Sequence, residues 1–266
     1  MARFSRKWNL LLSALAGLGA LGATSQVATA NRTINSLDGF PNIISFPLTS
    51  SVVVELDVLR AAAGARVHVG FERIQDEPLP ERVIPRPLRP EQVDLAGQPL
   101  GQVLDRLTKE APPLRRSSPP SVYQFTWKED EGVISVTPLR GQPSFLDSIV
   151  PSIELKDTTL PAAATVIHRL FDAQSPDTSR AADELPRVFM GTQDSFLEKR
   201  RIFKRTLSIS LRNATVREVL NALVKAHGEA SWVVIYSDST LTYQNCDIAF
   251  AAFNGARIDF GARRQR

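Results

Sequence analysis

The chain has 266 residues, and its 32 lysines and arginines against 28 aspartates and glutamates give a formal net charge of +4. Its single cysteine, Cys246, excludes an intramolecular disulfide, so stability must come from apolar cores. Charge this close to balance gives no general reason to expect a nucleic acid as partner.

The first thirty residues predict a secretory signal peptide, because three basic residues precede the apolar stretch Leu10–Ala23 and small residues follow at 28–30. Cleavage after Ala30 would leave 29 basic and 28 acidic residues, a net charge of +1. The apolar stretch is shorter than the roughly 20 residues that a membrane-spanning helix needs. We therefore expect a periplasmic or secreted protein, with an uncleaved membrane anchor as the alternative.

A leader at residues 31–49 precedes the first helix, and its prolines and asparagines predict at most one irregular strand, Ile43–Phe46. Ser51 is suited to cap the helix, and Gly64 is placed to end it in the left-handed conformation. Four residues at helical spacing should form its buried face: Val52, Leu56, Leu59 and Ala63.

The alternating segment at 66–72 predicts a strand whose inward side chains are Val67, Val69 and Phe71. Five prolines between 76 and 90 then break regular structure, and a second proline-rich loop spans 112–120. The strands Val122–Lys128 and Val133–Thr137 predict a hairpin, turned where Gly132 supplies a positive φ.

A repeat is the most informative feature of the sequence, because residues 90–109 and 206–225 both run from an alternating strand into an amphipathic helix. The matching apolar positions are Leu100 with Val216, Val103 with Val219, Leu104 with Leu220, and Leu107 with Leu223. A weaker third copy begins at Ile153 and continues into a helix with Leu160, Ala163, Ala164 and Ile167. The sequence is therefore built from copies of one unit.

The second half of the chain contains further local signals in chain order. A polar, proline-interrupted loop is predicted at 174–187, followed by a short strand at 188–190. Thr215 and Glu218 are spaced as a capping box, and Gly228 is placed to stop the helix. Two strands, Trp232–Tyr236 and Thr240–Tyr243, predict a hairpin, with a further strand at 248–253.

Each predicted unit places two helices on one side of a small mixed sheet, in the order helix, strand, strand, helix, strand, strand, which is an α+β arrangement. The predicted divisions are a signal peptide at 1–30, a leader at 31–49, a first unit at 50–139, a linker at 140–149, a second unit at 150–253 and a basic tail at 254–266.

This pattern resembles the secretin and TonB short N-terminal (STN) domain, a periplasmic module found in secretins and some TonB-dependent receptors. The matching features are the strand-to-helix segments Val93–Leu107 and Ile209–Leu223, the preceding helix and strand at Leu56–Phe71, and the closing hairpins. The sequence contains no outer-membrane barrel or secretin pore segment. The resemblance therefore implies the fold and a role in protein contact, and it does not imply a pore or a receptor.

Catalytic and metal-binding motifs are missing from the sequence: we find no H-E-x-x-H, no G-x-S-x-G and no paired-cysteine spacing. The three histidines, His68, His168 and His227, belong to different predicted elements, which favours structural roles. The acidic run at 129–131 is expected to be a solvated turn rather than a calcium site. We predict no cofactor, no metal and no enzymatic activity.

A basic run next to an aromatic residue is the best candidate interaction surface, and its members are Lys199, Arg200, Arg201, Phe203, Lys204 and Arg205. Such a surface suits an acidic patch on an envelope protein, anionic lipid headgroups or an acidic envelope polymer, and nucleic acid is not expected. A solvated strand edge protected by charge is the structural alternative. The sequence leads to two hypotheses, an envelope docking protein or a periplasmic enzyme or small-ligand binder with its site between the units.

Overall fold

The computed structural model describes residues 29–35, 43–46, 51–75, 91–109, 125–139, 143–172, 187–188, 203–237, 240–253 and 257–261. In these residues the protein is a mixed α+β fold with four helices and a mixed sheet. The predicted signal peptide up to residue 28, most of the loops at 76–90, 112–120 and 174–187, and the end of the basic tail lie outside the described residues.

The four helices are α1 (Ser51–Ala65), α2 (Leu100–Lys109), α3 (Leu160–Asp172) and α4 (Val216–His227). The strands are β1 (Ile43–Phe46), β2 (His68–Ile74), β3 (Glu91–Asp94), β4 (Phe125–Asp130), β5 (Val133–Pro138), β6 (Ile149–Thr159), β7 (Arg187–Val188), β8 (Thr206–Thr215), β9 (Ala230–Tyr236), β10 (Cys246–Ala252) and β11 (Arg257–Gly261).

A seven-stranded sheet runs through both halves of the chain, in the order β4-β5-β2-β9-β10-β11-β7. Strand β2 is parallel to both of its neighbours, β5 and β9, and the other pairs are antiparallel. The remaining strands form two antiparallel ribbons, β1 with β3 and β6 with β8. The β2–β9 pair therefore joins the front of the chain to the back by backbone hydrogen bonds.

The two faces of this sheet carry different helices, because neighbouring side chains of a strand point to opposite faces. On one face, Val69 and Phe71 of β2 pack in a core with α1 and α2. On the other face, Ile74 of β2 and Trp232 of β9 belong to a core with α3 and α4. The sheet is thus covered on one side by the front helices and on the other by the back helices.

The repeated helix positions are buried as the sequence predicts. All eight matched apolar residues of α2 and α4, from Leu100 to Leu107 and from Val216 to Leu223, are at most 3% exposed. The capping box is also confirmed: the Thr215 hydroxyl accepts from the Glu218 N–H at 3.2 Å, and the Glu218 carboxylate accepts from the Thr215 N–H at 2.6 Å. Gly228 ends α4 with φ of 84°.

The predicted buried face of α1 is confirmed only in part, because Ala63 is 7% exposed and Leu59 packs against the core of the front helices, whereas the other two predicted residues are exposed. Val52 and Leu56 are 37% and 47% exposed, while Val54, Val58 and the alanines at 61, 62 and 65 are buried. Small side chains and a buried carboxylate, Glu55, form the face that contacts the sheet, so spacing of large apolar residues is misleading here.

The prediction that Gly64 ends α1 in the left-handed conformation is wrong. Arg66, just after the helix, has the positive φ of 52° instead. Gly64 is needed for a close approach instead. A β-carbon at this position would lie 2.8 Å from Cγ2 of Ile34 and 2.9 Å from the carbonyl oxygen of Asn35. The segment 29–35 therefore packs directly on the end of α1.

The two predicted hairpins have different outcomes. Strands β4 and β5 pair around a two-residue turn, and Glu131 and Gly132 have positive φ values of 49° and 81°. In the back half, β9 pairs with β10, and residues 240–245 do not form the predicted strand. The buried Leu241 has φ of 54°, and its carbonyl accepts from the N–H of Phe145 at 2.8 Å, which holds this segment out of the sheet.

Candidate interaction surface

The basic run predicted from the sequence is only partly described. Lys204 and Arg205 are exposed just before β8, and Lys199, Arg200 and Arg201 lie outside the described residues. Phe203 is 7% exposed and belongs to the core with α3 and α4. The ring therefore anchors the segment to the core and is not available to a partner. Burial of its apolar surface is more favourable than exposure beside the cations.

The outer edge of β4 is a second candidate surface. Among the described residues, β4 pairs only with β5 and ends the seven-stranded sheet. Pro138 on β5 stands opposite Phe125 on β4. Because proline has no N–H to donate, Phe125 and Pro138 form a non-hydrogen-bonded pair of the ladder. Since such pairs alternate along an antiparallel ladder, the backbone groups of Phe125, Trp127 and Glu129 point to the outer edge.

A groove of about 250 Å³ lies beside this edge, between α2 and β4. Its lining residues are Asp105, Thr108, Phe125, Thr126 and Trp127. The indole N–H of Trp127 donates to the Asp105 carboxylate at 3.1 Å, which fixes the ring against α2 while the ring stays only partly buried. An edge strand beside a helix-lined groove is the arrangement by which many domains add a peptide as an extra strand.

Strand β9 has the same tryptophan arrangement in a covered form. The indole N–H of Trp232 donates to the Asn221 side chain on α4 at 2.8 Å. In the repeat alignment that matches Leu100 with Val216, Asp105 falls on Asn221. The two hydrogen bonds are therefore equivalent, and Trp232 is fully buried.

The cover over Trp232 is supplied by β2. Gly70 is in register with Trp232, and a β-carbon added to Gly70 would overlap the indole ring. Glycine lets the ring lie flat against the neighbouring backbone. The covered β9 edge and the β4 edge, which has no outer neighbour among the described strands, thus present the same kind of residue to a neighbouring strand.

Glu129 on β4 is the one acidic member of the 129–131 run whose environment is unusual. Both of its carboxylate oxygens are shielded from solvent and have no hydrogen-bond partner in the described part of the chain. Buried acceptors normally find a donor. Glu131, by contrast, is an exposed turn residue whose carboxylate meets Lys225 at 3.0 Å.

Buried ion pairs reinforce the β2–β9 junction. Glu72 is 2% exposed and accepts from Arg217 of α4 at 2.5 Å and from the Tyr236 hydroxyl at 3.3 Å. Arg217 also reaches Asp147 at 3.2 Å. On the opposite face, Arg73 meets the buried Glu55 at 2.5 Å. Charges buried in this way require matched partners, so these contacts favour a single register between the strands.

The histidines occupy structural positions. His68 lies 2.7 Å from the carbonyl of Ala230 through its Nδ1, and burial lowers the pKa of this ring below its usual value. His168 meets the Tyr243 hydroxyl at 3.0 Å. His227 is fully buried and its Nδ1 accepts from the N–H of Glu229 at 3.4 Å.

Two further titratable groups are perturbed by burial. Burial raises the pKa of Asp57 to about 6, although Arg60 at 2.8 Å acts to lower it. Burial also raises the pKa of the Cys246 thiol, and this side chain is 3% exposed and donates to the carbonyl of Tyr243. The cysteine is therefore an apolar core residue.

Within the described residues, no group of three or more His, Cys, Asp or Glu side chains is arranged to hold a metal ion. The helices in the same part of the chain are each too short or too polar to cross a membrane. No protein-family model, no curated protein and no solved structure matches this chain.

Sequence reasoning did not find the β4 edge. One signal was present: a tryptophan follows each repeated helix, Trp127 after α2 and Trp232 after α4, with Asp105 and Asn221 at matched helix positions. Hydrophobic spacing alone does not reveal a polar pairing of this kind.

Proposed function

We propose that this protein is a non-enzymatic, exported component of a cell envelope whose two tandem STN-like units dock onto another envelope component. The observation that carries the proposal is the outer edge of β4, which ends the sheet with its backbone groups unpaired among the described residues and has a groove beside it. Unpaired edges of this kind accept a strand from a partner.

The strand connections support the division into two units. An antiparallel ribbon is formed by the first and third strands of each half, β1 with β3 and β6 with β8. Each half then ends in an antiparallel hairpin, β4–β5 or β9–β10. Strand β2 runs parallel to its neighbour β5. Strands β7 and β10 lie on either side of β11 and are each antiparallel to it, so β7 and β10 run parallel to each other.

The arrangement of helices supports the same division. The front helices and the back helices lie on opposite faces of the sheet, as expected if one unit is turned over relative to the other. Within each unit, a tryptophan of the hairpin donates to the second helix at matched positions. A duplicated unit explains both features.

Docking by strand addition has a precedent inside the chain. Strand β2 lies along β9 over the register Gly70–Ile74 with Trp232–Tyr236, and main-chain pairing of this kind supplies affinity while side-chain pockets supply specificity. The outer edge of β4, unpaired in the described part of the chain, offers a partner the equivalent surface.

The exposed cations Lys204 and Arg205 support a second contact with an acidic surface. The partner surface could be an acidic patch on an envelope protein, anionic lipid headgroups or an acidic envelope polymer. Positive charge would speed association and orient the partner, and its contribution would fall as salt is raised.

The alternative of an enzyme or ligand-binding site between the units requires a pocket at their junction. Along β2 and β9 the space is filled by side chains, with Trp232 against Gly70 and Arg217 against Glu72. The described junction therefore favours docking.

Capture of partners from native envelope extracts tests the proposal. Glu129→Pro removes an outward N–H without affecting the β4–β5 ladder, and Glu129→Gln is the matched control because it keeps the N–H and the side-chain size. We expect the wild-type protein and Glu129→Gln to retain the same specific envelope component and Glu129→Pro to lose it.

Circular dichroism and thermal melting show whether the proline variant remains folded. Retention of the same component by folded Glu129→Pro would contradict docking at β4. Failure of every form to retain an envelope component, together with a small molecule that raises the melting temperature, would favour the ligand-binding alternative.

A further inference from the structure

We infer that the partner strand added to β4 carries a lysine or an arginine beside Glu129, so that this carboxylate selects a cationic strand. The inference rests on the proposed function, because it names the chemistry of the partner at the same edge. The backbone of β4 supplies the pairing, and Glu129 determines which strand is accepted.

Glu129 has no donor on the inner side of its strand. Its neighbour across the β4–β5 ladder is Ile134, a fully buried residue of the core with α1 and α2. The adjacent cation, Lys128, is exposed and points to the opposite face of the sheet. Both carboxylate oxygens of Glu129 are shielded from solvent and lack a hydrogen bond in the described part of the chain. The carboxylate therefore needs a donor that this strand pair does not provide.

Helix α2 carries no cation at the position where α4 provides one. At the internal junction, Arg217 is the second residue of α4 and pairs with Glu72 of β2 at 2.5 Å. The second residue of α2 is Gly101, which has no side chain to reach a carboxylate. A β-carbon at this glycine would lie 3.7 Å from the ring of Trp127. The front unit thus has a carboxylate at its edge without the arginine of the helix.

The internal junction indicates which residue of an added strand lies beside Glu129. Strand β2 runs parallel to β9 with Gly70 beside Trp232, and two residues further on Glu72 lies beside Val234. Glu129 follows the tryptophan of β4 by two residues, as Val234 follows that of β9. The partner residue beside Glu129 therefore corresponds to Glu72. Because paired side chains lie on the same face, a lysine or arginine there would neutralise Glu129, and an acidic residue would repel it.

The charge of the neighbouring groove acts in the same direction. Asp105, the charged residue among its described lining, is acidic and accepts from the indole N–H of Trp127 at 3.1 Å. Together with Glu129 it makes the potential at this edge negative, which speeds the approach of a cationic strand. An apolar residue beside Glu129 would cover the carboxylate without giving it a donor, and that would weaken binding.

Two capped peptides test the inference on the wild-type protein. The first is acetyl-Thr-Val-Gly-Val-Lys-Val-Thr-amide, and the second has glutamate in place of lysine. The glycine sets the register at Trp127, and the caps remove the terminal charges. In NMR titrations we expect the lysine peptide to bind at least about tenfold more tightly than the glutamate peptide. The preference should decrease as salt is raised.

A charge exchange at residue 129 gives the matched variant. Glu129→Lys should reverse the preference and bind the glutamate peptide more tightly. Glu131→Lys is the control, because it makes the same change of net charge at the exposed turn residue that meets Lys225, and it should keep the wild-type preference. Glu129→Gln keeps an acceptor oxygen, so it should still capture the envelope component and bind the lysine peptide about fivefold more weakly than the wild-type protein.

Three results would overturn the inference. They are no binding of the lysine peptide at about millimolar concentration, equal binding of the two peptides by the wild-type protein, and a preference that Glu131→Lys loses as fully as Glu129→Lys. The comparison of two peptides on the wild-type protein needs no variant, so it decides the question even if Glu129→Lys does not fold.

The outcomes also separate this inference from the docking function. If the peptides fail and Glu129→Pro still loses the captured envelope component, docking at β4 stands with a partner strand of different chemistry. If folded Glu129→Pro retains the component and binds the lysine peptide as the wild-type protein does, both proposals fail.

Discussion

Gly70 and Trp232 show how a single missing side chain sets the register of the central sheet. The indole of Trp232 occupies the space that a β-carbon of residue 70 would need, and its N–H is fixed by Asn221. A shift of one residue would place Val69 or Phe71 at this point. Both would clash with the ring, so steric exclusion reinforces the backbone pairing.

Gly70→Ala should lower the free energy of unfolding by about 2–3 kcal/mol, because it overpacks a fully buried contact with a large ring. Gly101→Ala is the matched control. Its new methyl group would meet Ala30 at 3.3 Å, and removal of glycine from α2 offsets this crowding. Urea denaturation followed by fluorescence gives both values. Equal stability of Gly70→Ala and the wild-type protein would contradict the tight contact.

Asp57 is predicted to make stability depend on pH. Its pKa is raised from 3.8 to about 6 by burial, so the folded state binds a proton more tightly than the unfolded state between these values. Stability therefore falls as pH rises from about 4 to 6, and the penalty persists above that range. Asp57→Asn should gain about 1–3 kcal/mol at pH 7.5 and almost nothing at pH 3.5.

Denaturation of Asp57→Asn at several pH values checks this, with the exposed Glu154→Gln as control. A gain that is independent of pH would show that the Asp57 carboxyl is not the titrating group.

At the scale of elements, helix α4 has complete signals at both ends. Thr215 and Glu218 cap its start reciprocally, and Gly228 ends it in the left-handed conformation. Local signals of this kind depend on nearby residues alone, which is why they are readable from sequence. The matched apolar positions of α2 and α4 were readable for the same reason.

Thr215→Ala should destabilise the protein by about 1 kcal/mol, since one N–H of the first turn loses its acceptor. Thr215→Ser keeps the hydroxyl and should stay close to the wild-type value. The difference in midpoint of chemical denaturation measures the effect. An equal loss in both variants would assign it to the methyl group rather than to the cap.

Other elements were not readable because tertiary contacts decide them. The buried face of α1 contains Glu55, which is stabilised by Arg73 of β2, a partner 18 residues away. Leu241 is held by the backbone of Phe145, almost a hundred residues earlier in the chain, and not by a strand ladder. The spacing of apolar residues predicts which side of an element faces the core on average. The prediction fails where a specific contact with a residue distant in sequence determines the structure.

At the scale of the whole molecule, the α+β class was predicted from the sequence, and the continuous seven-stranded sheet was not. The pairing of β2 with β9 is made by backbone groups that every residue carries. Gly70 and the buried Glu72–Arg217 pair are among the features that distinguish this junction. Neither has a periodic signal, so the union of the two halves could not be predicted.

The candidate interaction surface was likewise only partly predictable from the sequence. The basic run was visible as a charge pattern, although Phe203 within it is buried. The β4 edge becomes apparent only when the internal junction shows which kind of strand covers an equivalent edge.

Residue-resolved amide hydrogen exchange on β4 tests the central claim most directly. In the free monomer, the N–H of Lys128 points into the β4–β5 ladder and should exchange slowly, while those of Trp127 and Glu129 point outward and should exchange freely. In the partner-bound protein, the two outward amides should become at least about tenfold slower. Unchanged exchange of Trp127 and Glu129 on partner binding would contradict docking at this edge.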